Sequence, residues 1–137
     1  MPNGSFDDIE GGFTIRASRD AWETVRKDIF EEFQGEDVSI NTGRVVDTAI
    51  AVGIAEEEML EPSGPDPYRT STESVDPYDV LKTLIEVRHP DRGADRLQEA
   101  MIQYFEGGLQ VISEEIGENG YFDYEQYLAD EISDAEL

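Results

Sequence analysis

Three observations predict a mainly α fold, a single small domain with one short N-terminal strand followed by about five helices. From Arg96 to Gly117, the residues Leu97, Met101, Phe105, Leu109, Ile112 and Ile116 recur at steps of three and four. That spacing lines six large apolar side chains along one stripe of a helix. Other segments repeat the helical spacing on a shorter scale, and only Phe13–Ser18 alternates with the period of a strand. The long helix is expected to be the central beam, with Gln98, Gln103, Glu106, Gln110, Glu114 and Glu115 mostly on its other side. Gly107 and Gly108 interrupt it at about 1 kcal/mol each relative to alanine. Such a pair marks a kink or a tight helix contact.

Residues 1–11 read as a flexible acidic tail. In FTIRAS, Phe13, Ile15 and Ala17 share one face and Thr14, Arg16 and Ser18 the other. Ser18 or Asp20 can cap the next helix, about 20–33, with Glu23 placed as in a capping box and Trp22, Val25, Ile29 and Phe33 on its stripe. Gln34-Gly35 ends it. Asn41 or Thr42 caps a second helix, about 43–58, whose Val45, Val46, Ala49, Ile50, Gly53 and Ile54 make it unusually apolar. Such a helix is buried on more than one side or packs on a second subunit. Residues 61–77 hold four prolines and read as a loop, the one candidate boundary between a 12–60 segment and a 78–132 helical segment. A third helix, about 77–87, buries Val80, Leu81, Leu84 and Ile85 and begins with Pro77 in its first turn. After the long helix, Asn119-Gly120 makes a turn, a short helix covers about 123–132, and residues 133–137 are an acidic tail.

The 137 residues are enough for one domain with a real core. Thirty-three acidic against ten basic residues leave a net charge of −23, and only Lys27 and Lys82 are lysines. A chain so acidic could be disordered, but 38% of its residues are hydrophobic and they fall in helical patterns. The charge instead fits a protein adapted to very high intracellular salt, where a Debye length of about 3 Å at molar ionic strength screens self-repulsion. That points to a halophilic, archaeal source. An acidic decoy imitating nucleic acid is the second reading. There is no cysteine, which excludes disulfides and thiol chemistry. With no apolar run of membrane-spanning length and no signal-peptide pattern, a soluble, cytoplasmic protein is expected.

Enzymatic chemistry is not expected. The single histidine, His89, sits in RHPDRG at a helix break, where such a residue is usually structural. No recognised phosphate-binding, nucleophile-elbow or metal-ligand motif occurs. In so acidic a chain, a chosen pair of carboxylates says nothing about acid–base catalysis. No metal and no cofactor are expected.

The order strand, helix, helix over residues 13–57 is that of a ribbon-helix-helix unit, in which two chains pair strands into a ribbon that enters the major groove. The base-reading residues would be Thr14, Arg16 and Ser18. The start of the second helix, at Asn41, Thr42 and Gly43, would offer backbone N–H groups to a phosphate, supported by Arg19 and Arg44. Residues 11–55 hold five basic and eight acidic side chains, whereas beyond Arg96 there are eleven acidic residues and no lysine or arginine. A nucleic-acid contact therefore belongs to the first half. Glu31, Glu32, Glu36 and Asp37 oppose it. An isolated strand also needs a partner for its backbone groups, so a homodimer is expected.

The segments TGRVVDTAIAVGIAEEE, MIQYFEGGLQVISEEI and YFDYEQYLADEI together resemble the fourth family of DNA phosphorothioation-associated (Dnd system-associated) proteins. The most specific element is Gly107-Gly108-Leu109 with Tyr104 and Phe105 beside it. The resemblance implies a non-catalytic role beside the enzymes that place sulfur in the DNA backbone, or beside the restriction proteins that read that mark, in defence against foreign DNA. Three functions follow: an accessory protein of such a system, a ribbon-helix-helix transcription regulator, or a structural adaptor. In the last, Tyr104, Phe105, Gly107 and Gly108 would dock a larger partner.

Overall fold

A 26-residue helix organises the chain. In a computed structural model, which describes residues 13–32, 42–72 and 80–120, the elements are β1 (Thr14–Ala17), α1 (Arg19–Glu32), α2 (Thr42–Glu56), β2 (Tyr68–Ser71), α3 (Val80–Arg88) and α4 (Ala94–Asn119). The tails, residues 33–41 and 73–79, and the helix expected at 123–132 lie outside the described residues. Helix α4 starts after the extended Gly93 without a side-chain cap. It ends at Gly120, whose left-handed backbone (φ 83°) lets its N–H reach the Ile116 carbonyl.

The expected beam is present. Leu97, Met101, Phe105, Leu109 and Ile112 are fully buried, and α1, α2, α3 and β1 all pack on α4. Its buried surface is wider than one stripe, because Ala100, Ile102 and Tyr104 are enclosed too. Glu106, expected on the solvent side, is 1% exposed. Gly107 and Gly108 do not break the helix, which runs through them. They mark a tight contact: a Cβ on Gly108 would fall on the Ala49 carbonyl, and one on Gly107 on the Glu58 carbonyl. Gly53 makes the reciprocal approach from α2 to Tyr104. The apolar helix α2 is therefore buried on more than one side within the chain itself, through Val45, Val46, Ala49, Ile50, Val52 and Ile54.

Helix α2 closes with a glutamate where glycine is usual. Glu57 has φ 56°, its N–H bonds the Ile54 carbonyl, and the Glu58 N–H reaches back to Gly53. This is a Schellman closure. The chain then crosses α4, where the Leu60 N–H donates to the Gln103 carbonyl at 3.1 Å and Gln103 Nε2 to Glu61 at 2.5 Å.

The proline-rich segment is the largest correction to the sequence-based fold. It is neither a plain loop nor a boundary, because it contains β2, which pairs antiparallel with β1. Thr14 lies opposite Ser71, Ile15 opposite Thr70, Arg16 opposite Arg69 and Ala17 opposite Tyr68. Beyond that register the Thr72 N–H bonds the Phe13 carbonyl, and the Phe13 N–H bonds Thr72 Oγ1 at 3.0 Å. The strand thus finds its partner in its own chain, and the reason for expecting a homodimer falls away. A four-residue strand of mixed polarity inside a proline-rich stretch is too weak a pattern to separate from a loop.

Candidate nucleic-acid interface

Ile15 and Ala17 point into the core, which turns Thr14 and Arg16 outward. On the neighbouring strand Arg69 and Ser71 are exposed and Tyr68 and Thr70 half-buried. The outer face of the ribbon is therefore an arginine pair, Arg16 opposite Arg69, next to a hydroxyl pair, Thr14 opposite Ser71. Like charges directly opposite across an antiparallel pair destabilise it. Among the described residues, neither guanidinium has a hydrogen-bond or ion-pair partner. The pair forms a point of positive charge on a chain of net charge −23. Arg69 and Ser71 are absent from the sequence-based site because they lie in the proline-rich segment. The available signal was the alternation in YRTS.

The ribbon rests on aromatic rings. Trp22 of α1 stacks on Tyr68 with centroids 3.9 Å apart and planes 9° from parallel. Phe105 of α4 meets both edge-on, at 6.1 Å and 6.4 Å. Such contacts add to the burial energy of the rings and fix the ribbon's inner face against two helices.

Ser18, expected to read bases, does not face outward. It is 6% exposed, its hydroxyl accepts the Ser63 N–H at 2.8 Å, and its N–H donates to Glu106 Oε1 at 2.6 Å. Strand alternation stops at Ala17, so the sixth residue of FTIRAS is carried into the interior. Arg19, expected to support a phosphate, donates from Nε to the Asp66 carbonyl at 3.1 Å, with Asp66 and Glu23 carboxylates within 4 Å. Its charge is locally answered. Thr42 and Arg44 lie in the first turn of α2, and Asn41 lies outside the described residues. The partner surface expected at Tyr104, Phe105, Gly107 and Gly108 is internal: both rings are buried and both glycines face the backbone of their own chain. That expectation is corrected.

Glu106 ties α4 to the junction between β1 and α1. One carboxylate oxygen takes the Ser18 N–H where β1 passes into α1, and the other takes Gln110 Nε2 at 2.7 Å. Replacing Glu106 with alanine leaves a buried N–H without an acceptor and is expected to lower stability by about 1–3 kcal/mol. Glutamine keeps a carbonyl acceptor there and should lose less than about 1 kcal/mol. Urea unfolding at constant molar potassium chloride measures both.

His89, after α3, shares a 2.7 Å hydrogen bond with the Tyr104 hydroxyl, its direction set by the imidazole tautomer. Burial holds the imidazole below its ordinary 6.5, and Arg92 and then Arg88 add repulsion to its protonated form. Burial also raises the Tyr104 phenol above its usual 10.0. The neutral forms therefore face each other, in a structural pair. Because the folded imidazole resists a proton that the unfolded chain accepts, the stability it contributes is complete above pH 6.5 and is lost as pH falls through the lower folded value. Carboxylate protonation near pH 4 is a separate, lower process. Wild type should therefore lose stability relative to His89→Gln as pH falls below 6.5, measured as the difference between their urea midpoints in molar salt.

No protein-family model, curated protein or solved structure matches this chain. The described residues contain no cluster of potential metal ligands and no helix long and apolar enough to cross a membrane.

Proposed function

We propose that this protein is a non-enzymatic accessory protein that contacts duplex DNA through the outer face of the β1–β2 ribbon. The observation that carries the reading is the exposed Arg16–Arg69 pair, set across the ribbon without an acidic partner among the described residues. A two-stranded ribbon fits the major groove, and arginine is the side chain best suited to its guanine edges. Net charge opposes the contact at low ionic strength. At molar salt the Debye length is about 3 Å, so distant carboxylates are screened from the phosphates while a guanidinium in direct contact is not. The likeness to the phosphorothioation-associated family further suggests that the DNA carries, or is about to carry, sulfur in its backbone.

The test is binding of labelled duplexes, plain and phosphorothioated, across a potassium chloride series reaching molar concentration, with folding followed by Trp22 emission. Binding by the folded protein supports DNA contact, and preference for the sulfur-bearing duplex supports the defence-system role. A folded protein that binds neither duplex sinks the reading and favours an adaptor for another protein.

A further inference from the structure

Resting on that reading, we infer that Arg16 and Arg69 act together as a one-chain reading head for guanine-containing base steps, with Thr14 and Ser71 facing neighbouring base pairs. Both arginines project from the same face at directly opposed positions of the ribbon. Their Cα atoms are therefore about 4.5–5.5 Å apart, about 1–2 Å more than the rise of roughly 3.4 Å between base pairs in B-form DNA, a difference that two long side chains can take up. Two flexible arms on that footing reach two adjacent base pairs. The hydroxyl row lies two residues further along, about 7 Å at strand rise, or roughly two base steps.

Residue type narrows the target. The guanidinium fork pairs with guanine O6 and N7 together, whereas a lysine would supply a point charge. Short hydroxyls serve either base and do not hold the ribbon away from the groove floor. No carboxylate stands on the outer face of the four register pairs to reject guanine acceptors. The strands come from one chain, so a single copy completes the ribbon and no two-fold half-site is required. This separates the protein from ribbons assembled between two chains, whose sites mirror the two-fold axis of the dimer.

The experiment titrates the full chain, in the salt window where it is folded, into two labelled duplexes of equal length. One contains GG steps and the other only A·T pairs. Wild type should prefer the GG duplex by roughly tenfold to hundredfold, as one molecule per duplex with a simple hyperbolic isotherm. Arg69→Ala and Arg16→Ala should each abolish most of that preference. Arg69→Lys should retain affinity for the A·T duplex and lose the preference, since charge survives and the fork does not. Both positions are exposed, and urea midpoints at or above that of wild type establish that the variants fold. Equal affinity for the two duplexes, wild-type preference in Arg69→Ala, or two molecules per duplex would each overturn the reading head while leaving DNA contact standing. Failure of folded wild type to bind either duplex overturns both, and points to partner carboxylates as what the arginine pair meets.

Discussion

Alanine at Gly108 is expected to destabilise the protein by about 3 kcal/mol or more, at the upper end of the overpacking range. The added Cβ would lie on the Ala49 carbonyl oxygen, 2.6 Å from its carbon and 2.9 Å from the Gly53 nitrogen. All three atoms are backbone, so no rotamer change relieves the clash and α2 must move away from α4. The helix propensity gained by replacing glycine, about 1 kcal/mol, is smaller than that loss. Gly117 provides the opposite case within the same helix. It is exposed, and nothing lies within 4 Å of the point where an alanine methyl would stand. Gly117→Ala should therefore stabilise by about 0.5–1 kcal/mol. Urea unfolding of the two variants in molar potassium chloride reads both signs. A neutral Gly108→Ala would mean that the helices are not in backbone contact.

The second large effect is expected at Trp22. Its side chain is 2% exposed, stacked on Tyr68 and edge-on to Phe105. Trp22→Ala should lower stability by about 3–5 kcal/mol, the range for removing a large buried aromatic side chain. Because the stack supports the inner face of β2, the variant should also weaken the ribbon, and the proposed duplex contact should suffer more than the folded fraction accounts for. Trp22→Phe keeps an aromatic face and should be milder. Near-ultraviolet circular dichroism of Tyr68 and Phe105 would report whether the remaining rings stay ordered; an unchanged urea midpoint in Trp22→Ala would show that the cluster does not brace the fold.

Periodicity made the helical architecture readable because it samples many residues at once. The stripe from Leu97 to Ile112 located α4, and the small residues of α2 foretold its close burial. Even Gly107-Gly108 was open to reading as a tight contact, although the opposing Ala49 and Glu58 carbonyls could not be deduced from spacing. The failures were non-local. YRTS is too short to announce a strand until β1 lies beside it, so the sequence offered Arg16 without Arg69. Ser18 looked like an outward strand residue because alternation carries no information about where a strand ends. Glu106 looked solvated because a helical stripe cannot foresee an N–H delivered from 88 residues away. The docking role assigned to Tyr104 and Phe105 failed for the same reason: aromatic residues beside glycines mark close approach without saying whose backbone approaches.

The distance in sequence between β1 and β2 also decides how this molecule can be taken apart. A fragment ending before Tyr68 would contain Arg16 but neither the strand that pairs with β1 nor the carboxylate that holds the Ser18 N–H. A fragment beginning at the proline-rich segment would contain Arg69 and Glu106 but neither the strand that pairs with β2 nor the Ser18 N–H that Glu106 accepts. Neither half should fold alone, whereas the two mixed together should reassemble by complementation. The surface is thus a property of closure of the whole chain, and cannot be moved to another scaffold as a peptide.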